Sequence, residues 1–63
     1  MSVKVKMIWY NPSAAAFEGR VDIRRGNRNF RYPCVVEGPH SMPTKDVRAR
    51  MAAQAKRMSD SHR

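Results

Sequence analysis

Three arginines fall within five residues at Arg24, Arg25 and Arg28, set around Gly26 and Asn27. A guanidinium offers a planar fork of N–H donors that matches phosphate oxygens, so this cluster suits polyanion binding. Further cations recur at alternate positions, Lys4 with Lys6 early in the chain and Arg20 and Arg31 on either side of the cluster. Residues two apart share one face of an extended strand. Lys4, Lys6, Arg20, Arg24, Arg25, Arg28 and Arg31 are therefore the candidate nucleic-acid contacts, and Tyr10 adds a ring on which an unpaired base can stack. Nothing in the pattern marks a side chain for base-specific reading, nor for DNA over RNA.

The whole chain shares this balance. Its 63 residues hold 13 Lys and Arg against 5 Asp and Glu, a formal charge of +8. Such a field attracts nucleic acid or an acidic protein. The same cations also keep a sheet face soluble, and Arg48, Arg50, Lys56 and Arg57 read as the solvated side of a helix.

Other chemistries find less support. Cys34, His40 and His62 stand apart, without the paired spacing of a zinc site, so no metal or other cofactor is expected. The five carboxylates are scattered singly and no nucleophile stands beside a base, which points to a non-enzymatic protein. Cys34 is a single cysteine within a strand pattern and reads as a small apolar core residue. No apolar stretch is long enough for a secretory signal or a membrane span, so the expectation is a cytoplasmic protein without membrane contact.

The elements that position the cations follow from hydrophobic period. Residues 2–10 alternate, with Val3, Val5, Met7 and Trp9 on one side and Lys4, Lys6, Ile8 and Tyr10 on the other, which predicts a first strand. Asn11, Pro12 and Ser13 break it. Residues 17–36 predict a hairpin closed by a two-residue primed turn at Gly26 and Asn27. That turn opposes Ile23 with Phe30, Val21 with Tyr32 and Asp22 with Arg31; sliding the pairing by two would oppose Arg24 with Arg31, a repulsive pair. Pro33 cannot donate to a ladder, so its strand is an edge and the first strand pairs with residues 19–25.

Beyond Pro39 the period changes to that of a helix. Residues 44–59 predict a helix capped by Thr44, with Asp46 in its first turn and Val47, Met51, Ala55 and Met58 on its apolar side. Residues 60–63 read as a frayed tail.

The expected fold is a single α+β domain over residues 1–63, a three-stranded antiparallel β-meander (β-β-β) packed on one face by a C-terminal α-helix. Its other face presents Lys4, Lys6, Arg20, Arg24, Arg31 and Tyr10, with Asp22 among them. A domain of this size buries only about 60% of its unfolded surface. A structural or adaptor module that homodimerises, or binds an acidic protein, is therefore the alternative function.

In element order this design resembles plant ethylene-responsive-type domains and integrase arm-binding domains, which use an open sheet face on DNA. It also resembles part of the double-stranded RNA-binding fold, whose first helix is missing here. The resemblance is architectural and assigns no residue roles.

Overall fold

The computed structural model describes residues 1–61. It contains β1 (Ser2–Asn11), β2 (Ala16–Arg25), β3 (Arg28–Glu37) and α1 (Thr44–Ser61). The strands form one antiparallel sheet in the order β1-β2-β3, with α1 across one face. The expected α+β meander with a C-terminal helix is the fold observed.

The hairpin has the expected register. Ile23 pairs with Phe30, Val21 with Tyr32 and Asp22 with Arg31, closed by Gly26 and Asn27. Gly26 takes a φ of +59° while Asn27 keeps a negative one, as a type II′ turn requires. Pro33 lies on the outer strand, where its missing N–H removes nothing from the pairing with β2.

The β1–β2 connection is tighter than its sequence suggests. Asn11 Oδ1 accepts from the Ser13 N–H at 3.1 Å and Asn11 O from the Ala14 N–H at 3.2 Å, an Asx-type turn that starts the reversal. Ala15 completes it at a φ of +50°, a left-handed conformation that an alanine adopts only under constraint.

One strand departs from the expected alternation. The β1–β2 register shifts between Val5 and Met7, where Lys6 is an extra residue forming a β-bulge. A bulge inserts one residue and so reverses the facing of everything beyond it. Val3 and Val5 face the helix as expected, but Ile8 and Tyr10 follow them inward, while Met7 and Trp9 turn out to the uncovered face. Two contacts favour this choice. Tyr10 packs edge-on against Phe17 at a centroid distance of 4.8 Å and donates its hydroxyl to Gly38 O at 3.1 Å. Trp9 turned inward would bury an indole N–H among aliphatic groups, at the cost of an unsatisfied donor.

The core lies between sheet and helix. Phe17, Val21, Ile23, Cys34 and Val36 from the hairpin meet Val47, Met51 and Ala55 from α1, with Met58 half-buried at the margin. Gly19 is what lets α1 approach so closely. A Cβ there would strike the Met7 carbonyl, which the bulge brings near, and would sit 2.8 Å from Met51 Sδ.

α1 differs from expectation at both ends. The first helical bonds are accepted by Pro43 O, from the Asp46 N–H at 3.0 Å and the Val47 N–H at 3.2 Å, so Thr44 is already inside the helix and is not its cap. At the other end the helix continues through Asp60 and Ser61. Ser59 is buried, Asp60 Oδ1 pairs with Arg25 Nη2 at 3.0 Å, and the Ser61 hydroxyl donates back to Arg57 O at 3.0 Å. Those contacts hold the last turn where composition alone suggested fraying. His62 and Arg63, the rest of the expected tail, lie outside the described residues.

Candidate nucleic-acid interface

The face of the sheet opposite α1 has no layer over it among the described residues. Pairing across the three strands arranges its side chains in rows. Ser2, Arg24 and Asn29 form the row at the hairpin end, and Lys4, Asp22 and Arg31 the next. Met7, Arg20 and Pro33 follow, then Trp9, Glu18 and Val35. The face therefore has two unlike halves.

The hairpin half is cationic. Lys4, Lys6, Arg24 and Arg31 border a shallow depression of about 330 Å3, with Asp22 on its floor. Arg31 Nε approaches Asp22 Oδ1 to 3.7 Å, too long for a good hydrogen bond, and Arg31 remains largely exposed. Such an ion pair is worth about 0–1 kcal/mol, so it leaves the arginine free to exchange partners at little cost. Arg24 Nε donates weakly, at 3.4 Å, to Gly26 O in its own turn. Four cations against one carboxylate leave this half strongly positive.

The other half is apolar and aromatic. Trp9 is 47% exposed, Met7 51% and Val35 50%, the largest apolar groups on the surface apart from Met1. The Trp9 Nε1–H donates to Glu18 Oε1 at 2.8 Å, and Glu18 Oε2 in turn accepts from Asn11 Nδ2 at 3.1 Å. This chain of bonds fixes the indole by its polar edge. Arg20 lies between the halves, half-buried, with Nη2 3.8 Å from Met7 Sδ and a buried Nε that has no hydrogen-bond partner. Asp22 Oδ1 is likewise buried without one. An unsatisfied buried polar atom costs on the order of 1–3 kcal/mol, a cost that falls here on Arg20 Nε, because Asp22 Oδ1 keeps its ion pair with Arg31.

Of the eight candidate contacts, Lys4, Lys6, Arg20, Arg24 and Arg31 share the uncovered face. Three do not. Tyr10 is turned inward by the Lys6 bulge, against Phe17 and, at 4.9 Å, against His40, so it is no platform for a base on the open face. Arg25 and Arg28 face each other in the register on the helix side of the hairpin, where Arg25 is tied to Asp60. The arginine cluster is thus split between two faces, because consecutive strand residues point opposite ways.

Sequence reasoning missed Trp9, Met7 and Val35 as surface groups. A signal existed: Val3 and Val5 keep one phase and Ile8 and Tyr10 the other, with a three-residue step between Val5 and Ile8 that is the mark of an inserted residue.

A second depression, of about 360 Å3, runs along β3 beside α1 and is lined by Val35, Glu37, Arg50, Gln54 and Arg57. Gln54 occupies its wall, accepting from the Val35 N–H at 2.9 Å and donating to Val35 O at 3.0 Å. No group of three or more His, Cys, Asp or Glu that could hold a metal ion occurs among the described residues. Burial pushes the Cys34 thiol above its ordinary range, so it is a poor nucleophile. No described helix is long and apolar enough to cross a membrane. Comparison with protein-family models, with curated proteins and with solved structures finds no match to this chain.

Proposed function

We propose that this is a small non-enzymatic protein that binds nucleic acid through the uncovered face of its sheet, chiefly by contacts to the phosphate backbone. The observation that carries the reading is the gathering of Lys4, Lys6, Arg20, Arg24 and Arg31 on one face that the helix leaves open. Each such cation can neutralise a phosphate and release a condensed counterion. The arginine forks add paired donors suited to phosphate oxygens.

Fluorescence anisotropy of labelled oligonucleotides over a range of salt concentrations tests it. Binding should weaken steeply with salt, and the double change Lys4→Ala with Arg31→Ala should reduce the slope of log K against log salt by about 1.4 to 1.8. Arg48→Ala with Lys56→Ala, on the exposed side of α1, is the control and should leave the slope unchanged. Absence of binding at low salt rejects the reading. The alternative of a dimer paired through the β1 edge meets an obstacle at Lys6, since a bulge whose extra residue is itself a lysine interrupts the ladder that such pairing needs.

A further inference from the structure

We infer that the ligand is single-stranded, with one unpaired base stacked on Trp9 while the adjoining backbone runs over Arg20 into the cationic half. This rests on the nucleic-acid reading above and adds which form of nucleic acid the face accepts.

The two halves of the face ask for different chemistry. In the hairpin half four cations surround Asp22, and a phosphate is attracted there. At the Trp9 end the cross-strand neighbour is Glu18, whose carboxylate repels a phosphate, and the other neighbours, Met7 and Val35, are apolar. What that end favours is flat, uncharged and polarisable. A nucleobase has those properties.

Trp9 is also prepared for such a partner. Its only N–H is satisfied by Glu18 and Glu18 is held by Asn11, so the ring is oriented beforehand and little rotamer freedom remains to be lost on stacking. About half of the residue is open to solvent. Arg20 supplies the link between halves, a guanidinium lying against Met7 that can contact either a base face or a phosphate. In a duplex every base already stacks on its neighbours and shows only its edges, so a duplex has no base face to offer Trp9 unless a base is flipped out. The charge division of the face therefore favours an unpaired strand.

Trp9 is the one tryptophan in the chain, so its emission reports on the proposed contact directly. A short oligothymidylate and a duplex of equal length are titrated into the intact protein while Trp9 emission and ligand anisotropy are followed together. The expected result is quenching by the single strand with the same midpoint as the anisotropy change, and weaker binding of the duplex. Trp9→Leu should lower single-strand affinity about tenfold with the salt slope unchanged, and Trp9→Phe should recover part of the loss. Thermal melting of both variants confirms that the fold is retained. Equal affinity for duplex and single strand, with unaltered Trp9 emission and a neutral Trp9→Leu, overturns the inference and leaves the phosphate-binding face standing. Failure of both oligonucleotides to bind at low salt removes this inference and the nucleic-acid reading together.

Discussion

Gln54 of α1 makes both of the hydrogen bonds to Val35 that a neighbouring strand would make, accepting from its N–H at 2.9 Å and donating to its carbonyl at 3.0 Å. The amide side chain acts as one residue of a fourth strand at the edge of β3. Edges left bare invite pairing with other chains, and here the helix blunts the edge that Pro33 already interrupts. Gln54→Ala should cost about 1 kcal/mol, seen as a fall in Tm of about 5 °C, because these bonds are exposed and water replaces them in part. The same variant should self-associate more readily at high concentration. An unchanged Tm would mean that the edge holds without Gln54.

Lys6 occupies the bulge of β1, and the residues on either side of it, Val5 and Met7, already face opposite ways as neighbours in a regular strand do. Deleting Lys6 should therefore leave Ile8 and Tyr10 inward and change Tm by only a few degrees, on the order of 1 kcal/mol or less. Deleting Asp22 from unbulged β2 places Val21 and Ile23 on opposite faces and should abolish cooperative unfolding. Circular dichroism melts of the two deletions distinguish a tolerated bulge residue from an essential one.

Ala15 holds a φ of +50° in the β1–β2 turn. The left-handed conformation costs an alanine about 1–2 kcal/mol, while a glycine there avoids that cost and gives back roughly 0.5–1 kcal/mol through its freer unfolded chain. Ala15→Gly should consequently raise Tm by about 2–5 °C. A lower Tm would show that the alanine methyl contributes packing that outweighs its strain.

Cys34 is buried with its Sγ 3.6 Å from Met51 O, and burial raises its pKa above the ordinary 9.0. The unfolded chain loses this proton first as pH rises. Stability is thus intact below the ordinary thiol pKa and declines from there until the folded thiol also ionises. Denaturant melts at about pH 8 and about pH 10 should show a loss that is smaller in Cys34→Ala, with the lysine and tyrosine background common to both proteins. Equal losses would place the pH dependence elsewhere. Native Cys34 should also react with a thiol reagent far more slowly than the unfolded chain does.

Most of the hairpin was legible because its constraints agree. Alternation, the Gly26–Asn27 turn, the Asp22–Arg31 pair and Pro33 at the edge all select one register. β1 was legible as a strand but only half of its facing was, since Met7, Ile8, Trp9 and Tyr10 are all apolar or amphipathic and alternation cannot choose between two apolar phases. The choice depends on partners far along the chain, Glu18 for Trp9 and Gly38 for Tyr10, and strand periodicity does not contain them. The same holds for the end of α1, where polar residues stay helical with Ser59 buried against the fold and Asp60 meeting Arg25 across 35 positions. For the candidate site, the five cations of the open face followed from period two. Trp9 did not, because it depended on a one-residue insertion.

β2 is the middle strand, and from Phe17 to Arg24 its residues alternate between two unrelated duties. Phe17, Gly19, Val21 and Ile23 face a packed helix, so almost any exchange among them is felt at once as lost stability. Glu18, Arg20, Asp22 and Arg24 stand on the side with no second layer, where a new side chain meets mainly water and its immediate cross-strand neighbours. Mutations in the two sets should therefore be fixed at very different rates. A lineage can re-letter positions 18, 20, 22 and 24, and with them the chemistry of that face, one codon at a time while positions 17, 19, 21 and 23 keep the scaffold, so descendants of one such sheet can diverge in surface long before they diverge in shape.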